Sequence, residues 1–130
     1  MKKVYPFLMF TNCKTEEALN LYSSIFDDAT VHDVIRWPDN VPGGPFGKVQ
    51  SAKLTLKDIT FRFMDSDGHD HALTASTSIF IVCDSEDELK RAYKGLVDGG
   101  RVLMPLDQYP FAKLFVWVED RYGLNWQLSL

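Results

Sequence analysis

At 130 residues, the chain fits one compact domain or two small half-domains, and no more. Hydrophobic residues make up 45% and aromatic residues 13%, enough apolar surface to bury a core. The formal charge of −4, with no cluster of Lys and Arg, lacks the electrostatic footprint of a nucleic-acid binder. No segment approaches the roughly 20 apolar residues of a membrane span.

The opening MKKVYPFLMF has a basic start but too short an apolar run, and no small-residue cleavage site follows; it does not read as a signal peptide. Residues 4–10 form an apolar run of strand length. Thr15 is a fair N-cap, and Glu16 and Glu17 suit the positive end of a helix dipole. Ala18, Leu19, Tyr22, Ile25 and Phe26 recur at helical spacing, so residues 15–26 are expected to be an amphipathic helix. Residues 29–37 read as a strand, and WPDNVPGGPFG as a loop. A hairpin is expected next, with arms at 48–56 and 59–65 and its turn at Lys57-Asp58.

After a polar loop, SDGHDHALTA, strand character resumes over 76–83. A second helix opens on a capping box, Ser85 to Glu88, and closes on Gly99-Gly100. RVLMP reads as a short strand, LDQYPF as a loop, and AKLFVWVEDRYGLNWQLSL as another hairpin. The order is β-α-β-β-β, written twice. CKTEEAL (13–19) superposes on CDSEDEL (83–89) at an offset of 70, and internal duplication explains cap, helix and final strand together. The expected organisation is a module over 1–66, a linker over 67–75 and a module over 76–130, in one structural domain. The fold class is α+β.

Strand alternation sorts the side chains into two sets. Leu8, Phe10, Phe61, Phe63, Phe80, Val82, Val116, Val118, Trp126 and Leu128 are expected under the helices. The opposite faces carry Tyr5, Phe7, Met9, Thr60, Arg62, Met64, Thr77, Ile79, Ile81, Phe115, Trp117, Asn125, Gln127 and Ser129. This second set is too apolar to be simply solvated and too polar for a dry core. It suits the wall of a small-molecule cavity, or an interface whose polar groups satisfy one another.

The stretches PFLMFTN, TEEALNLY, FRFMDSD, HAL and MPLDQYPFAKLFVWVEDRYGLNWQL, spread over nearly the whole chain, resemble the vicinal oxygen chelate superfamily. That superfamily includes glyoxalase I, extradiol dioxygenases and the fosfomycin and bleomycin resistance proteins. The closer resemblance is to its PhnB-like branch, which often carries a 3-demethylubiquinone 3-methyltransferase-like label. The resemblance implies paired βαβββ modules curving around a central cleft, helices outside, commonly in a homodimer. Metal-dependent members place four His or Glu ligands on the first and last strands of the modules. The corresponding positions here are Tyr5, Arg62, Thr77 and Gln127, none a strong ligand for Zn²⁺, Ni²⁺ or Fe²⁺. No metal and no cofactor are therefore expected. A methyltransferase would need a cofactor-binding α/β domain, for which this length and strand order leave no room.

The expected ligand-binding residues are Tyr5, Phe7, Arg62, Met64, Thr77, Trp117, Asn125 and Gln127. A fixed guanidinium among neutral amides suits an anionic or carbonyl-bearing small molecule. Alternatively, Arg62 pairs with an acidic residue such as Asp33 or Glu119. DSDGHDHAL gathers Asp65, Asp67, His69, Asp70 and His71, but its spacing is that of a solvated turn rather than a metal cluster. His71 matches a histidine often carried by the PhnB-like branch. With Tyr109 it is a candidate acid or base for an isomerase- or lyase-type step supported by Arg62.

His32, beside Asp33, reads as a surface residue. Cys13 and Cys83 form no disulfide framework and read as small packing residues. GGPFG (43–47) precedes a strand, not a helix, so it is no phosphate loop. Two functions of different class follow: a metal-free binding protein, or a metal-independent enzyme. A third reading is a dimeric scaffold with a vestigial cleft. The partners expected are a small-molecule ligand and a second copy of the chain, with no nucleic acid and no membrane, in the cytoplasm.

Overall fold

A computed structural model describes residues 1–40, 48–66 and 71–130. It is an α+β fold of two units, Met1–Ala72 and Leu73–Leu130, each with the order βαβββ. In the first unit these are β1 (Phe7–Phe10), α1 (Thr15–Ile25), β2 (Ala29–Arg36), β3 (Val49–Leu56) and β4 (Ile59–Asp65). In the second they are β5 (Ser78–Val82), α2 (Glu86–Val97), β6 (Arg101–Tyr109), β7 (Ala112–Glu119) and β8 (Asn125–Ser129). Each unit builds one four-stranded sheet, ordered β1-β4-β3-β2 and β5-β8-β7-β6. The first strand of each lies parallel to the last, and the other pairings are antiparallel. No helix among the described residues is long and apolar enough to cross a membrane.

The helix sits on one sheet face because apolar side chains alternate along the central strands. In the first unit Leu8, Phe10, Leu54, Phe61 and Phe63 are buried with Ala18, Leu19, Tyr22 and Ile25 of α1. In the second, Val116, Val118, Trp126 and Leu128 are buried with Leu89, Ala92 and Leu96 of α2. The hairpin of β3 and β4 turns at Lys57-Asp58, as the spacing predicts.

The two helices start differently. Ser85 caps α2 with its own hydroxyl, which accepts from the Glu88 backbone N–H at 3.1 Å. Thr15, expected to be the N-cap of α1, is instead its first helical residue. Its backbone N–H donates 2.9 Å to Asp65 Oδ1, and Asp65 Oδ2 accepts from the Val49 N–H at 2.8 Å. A buried carboxylate from the end of β4 thus serves the helix start and the first residue of β3 together. A cap brought from 50 residues away leaves no local signature.

Strand β5 presents the opposite faces from those expected. Six residues before Ser85, the cap of α2, lies Ile79, as Leu8 lies six before Lys14. Ile79 pairs with Trp126 and Ile81 with Leu128, so both share the helix-side face. Phe80 and Val82, expected under the helix, lie on the other face at 52% and 75% exposure. Alternation alone leaves the phase of an apolar run such as SIFIV open by one residue, and one residue inverts a strand.

β6 is also longer than RVLMP, running through the expected loop to Tyr109. Its pairing with β7 shifts register between Val102 and Met104, Met104 and Asp107, and Asp107 and Tyr109. As the edge strand of its sheet, β6 tolerates Pro105, whose missing N–H no neighbour needs.

Cys83, between β5 and α2, is a packing residue. Burial pushes its thiol up to about 12, with repulsion from Glu88 and Asp84 acting the same way. Free cysteine titrates near 8.5, so between there and 12 the unfolded chain has lost a proton that the folded chain keeps. Stability should therefore fall as pH rises above about 9, and Cys83→Ala should flatten that decline in denaturant titrations. Iodoacetamide at pH 8 should label Cys83 only in denaturant. Rapid labelling of the native protein would contradict this burial.

Candidate functional site

The helix-free face of the first sheet is built in rows. Paired residues on neighbouring strands share a face, and successive rows lie about 7 Å apart along the strands. The middle row reads Phe7, Arg62, Lys53, His32 across β1, β4, β3 and β2. On one side lie Thr60, Thr55 and Thr30; on the other lie Met9 and Met64. The structure thus brings Tyr5, Phe7, Arg62 and Met64 together. It adds Met9, which strand alternation already puts on this face, and Ser51 and Lys53, which sequence reasoning missed as site residues because cross-strand register is not readable along the chain.

Arg62 Nη2 donates to Ser51 Oγ at 2.9 Å. Its guanidinium lies 5.9 Å from the Tyr5 ring centroid, and Lys53 Nζ lies 5.4 Å from the same ring. Arg62 Nε is buried and has no hydrogen-bond acceptor among the described residues. Neither acidic partner considered from sequence is used on it. Asp33 takes Lys53 at 2.8 Å and His32 at 3.4 Å, while Glu119, in the other unit, takes Arg101 at 3.1 Å.

Asp33 reaches that face because its backbone adopts φ +52° where the β2–β3 register shifts, so it lies beside His32 instead of opposite it. The Lys53 ammonium beside Asp33 holds its carboxyl below the usual carboxylate range. The same contact raises Lys53, with Arg62 opposing. His32 is more than a surface residue: its Nε2 lies 2.9 Å from Thr55 Oγ1, which lies 2.8 Å from Thr60 Oγ1.

In the second unit the polar candidates satisfy one another. Trp117 Nε1 donates to Asn125 Oδ1 at 3.1 Å, and Asn125 is fully buried. Gln127 Nε2 donates to Ser78 Oγ at 2.8 Å. Ser78, paired with Asn125 at the start of β5, occupies the place expected of Thr77. Thr77 is exposed in the bend before the strand, a further result of the one-residue shift. Tyr109 donates its phenol to the Pro105 carbonyl at 2.7 Å and stacks on Phe111, centroids 5.4 Å apart. Tyr109, Phe111 and Phe80 surround Phe115, beside a shallow depression of about 540 Å³ running from Gln108 to Lys113. His71 is exposed and outside any strand or helix. Asp67, His69, Asp70 and GGPFG lie outside the described residues.

These side chains do not suit the divalent metal that the resemblance brings to mind. Among the described residues no three His, Cys, Asp or Glu side chains gather as a metal-holding group. Arg62, with Lys53 as its cross-strand neighbour, sets positive charge where a divalent cation would need donors. The first unit's half of the ligand quartet does not fit such an ion.

Comparison with known proteins agrees with this fold. Residues 2–129 match the family model described as 3-demethylubiquinone-9 3-methyltransferase. A PhnB protein from Bacillus cereus bearing the same methyltransferase description is 39% identical, with a TM-score of 0.90 over 99% of each chain. The chain belongs to this PhnB-like family. The PhnB-like fold is shared with protein PA1353 from Pseudomonas aeruginosa at 24% identity, TM-score 0.86, over 99% of this chain and 97% of that one. A glyoxylase/bleomycin resistance protein/dioxygenase domain from Frankia sp. EAN1pec has it at 15% identity, TM-score 0.68, over 100% and 98%. The comparison with curated proteins finds no significant match. The PhnB-like chain therefore has the vicinal oxygen chelate fold expected from its motifs.

Proposed function

We propose that this PhnB-like protein binds a small anionic or carbonyl-bearing molecule without a metal, on the helix-free face of its first sheet. Arg62 is the anchor. The observation that carries the reading is its guanidinium: half-buried, with no carboxylate partner among the described residues and a buried Nε lacking an acceptor. A charged donor held out of water in this way gains most from an incoming anion or carbonyl oxygen. Tyr5, Phe7 and Met64 supply the wall. On this reading Trp117 and Gln127 shape the second sheet's face, and Asn125 supports Trp117 from within.

The binding reading is preferred to the isomerase or lyase alternative because Tyr109 has its phenol engaged by a backbone carbonyl. Methyl transfer, despite the family's description, would require a cofactor domain that two βαβββ units do not supply. Exposed Phe80, Val82 and Phe111 on the second unit support a homodimeric assembly, and two free thiols suit the cytoplasm.

The test is a titration of acetate, pyruvate and inorganic phosphate, followed by thermal shift and calorimetry, on the parent and on Arg62→Gln. At least one anion should raise the melting temperature, and the substitution should weaken its binding roughly 10- to 100-fold. Equal binding by both proteins would remove Arg62 from the site and overturn the reading.

A further inference from the structure

The arrangement around Arg62 also limits what kind of anion fits, an inference that rests on the anion-site reading above. We infer that the site selects a monocarboxylate with an apolar body, aryl or alkyl, over dianions such as phosphate esters. Two observations carry this, one about charge and one about direction.

Arg62, Lys53 and Asp33 carry the charges in and beside the middle row. Arg62 and Lys53 are cross-strand neighbours and both positive. Lys53 is already compensated by Asp33, 2.8 Å from its ammonium. The sum over these three groups is a single positive charge, on Arg62. One carboxylate neutralises it. A dianion's second charge finds no further uncompensated cation in this row, because the Lys53 ammonium is already held by Asp33. His32, the remaining titratable group in that row, is held between Asp33 and Thr55 and offers no second fork.

The rows on either side of Arg62 differ in character. On the Thr60–Thr55 side of Arg62, the hydroxyls are hydrogen-bonded to each other and to His32, a chain closed on itself. On the opposite side lie Met9 and Met64, both half-buried, with Phe7 in Arg62's own row at 52% exposure. Thioether and aromatic surfaces accept an apolar body and reward a ring in particular. Ser51, the polar atom nearest that side, already accepts from Arg62 Nη2. A ligand therefore sets its carboxylate on Arg62 and lays its apolar part over Met9, Met64 and Phe7.

The probes are phenylacetate, acetate and phenyl phosphate at pH 8, titrated by calorimetry against the parent, Asp33→Asn and Arg62→Gln. Phenylacetate should bind at least tenfold more tightly than acetate, because the ring removes apolar surface from water. It should also bind at least tenfold more tightly than phenyl phosphate. Asp33→Asn keeps a residue that tolerates φ near +50° and adds one positive charge to the face. It should raise phenyl phosphate affinity at least fivefold while changing phenylacetate less than twofold. Equal binding of acetate and phenylacetate, both lost in Arg62→Gln, would overturn the apolar selection and leave the anion site standing. Phenyl phosphate binding as tightly as phenylacetate, or unchanged by Asp33→Asn, would overturn the single-charge limit. Binding indifferent to Arg62→Gln would bring down the anion site itself.

Discussion

Gly100→Ala should lose more than about 3 kcal/mol of stability, or fail to fold at all. Gly100 follows the end of α2, where its N–H donates to the Val97 carbonyl at 2.8 Å, and leads directly into β6. There the chain passes over the end of β7. A Cβ on Gly100 would overlap the Glu119 carbonyl oxygen and lie 3.0 Å from the Asp120 backbone. The obstructing atoms are main-chain atoms, so no rotamer change relieves the overlap.

Gly123→Ala separates this effect from backbone strain. Gly123 has φ +89° but nothing within 4 Å of an added Cβ. It should cost only about 1 kcal/mol, the dihedral penalty alone. Thermal melts followed by circular dichroism should rank parent, Gly123→Ala and Gly100→Ala in that order. Gly100→Ala melting within about 2 °C of the parent would mean that the chain does not pass this close to β7.

The elements legible in the sequence are those whose signals are local. The arms at 48–56 and 59–65 are found as β3 and β4, and along the second arm Phe61 and Phe63 lie on one face and Thr60 and Arg62 on the other, as alternation predicts. Ser85 and Glu88 announce the start of α2 by themselves. What was hidden depends on distant partners. Asp65 caps α1 across 50 residues, and the phase of β5, which decides where Thr77, Phe80 and Val82 lie, is set by its pairing with β8. β6 carries Pro105 and polar residues that only an edge position excuses.

The site divides in the same way. Arg62 stood out as a cation in an alternating strand. Asp33 reaching Lys53, and so leaving Arg62 without a carboxylate, depends on a positive φ that no residue pattern announced.

Asp120→Asn is the second substitution expected to act strongly, because it changes one buried atom and leaves no satisfactory orientation. Asp120 is 2% exposed and opens the turn from β7 to β8. Its Oδ1 accepts from the Tyr122 and Leu124 backbone N–H groups at 2.8 and 3.1 Å, and its Oδ2 accepts from Trp126 Nε1 at 3.0 Å. An amide in this position can present its oxygen to the backbone pair or to the indole, not to both. Whichever is left faces an NH₂ group, donor against donor, in a region where Trp126 is fully buried.

The cost should be about 2–4 kcal/mol. In this size range that lowers the melting temperature by roughly 10 °C. Trp126→Phe removes the indole donor and carries its own packing penalty, yet it lets the amide point its oxygen at the backbone without conflict. The penalty of Asp120→Asn should therefore shrink by at least half in the Trp126→Phe background, a coupling that a double-mutant cycle reads directly. Strict additivity would mean that Asp120 holds the turn through the backbone alone, and that the indole bond contributes nothing to it.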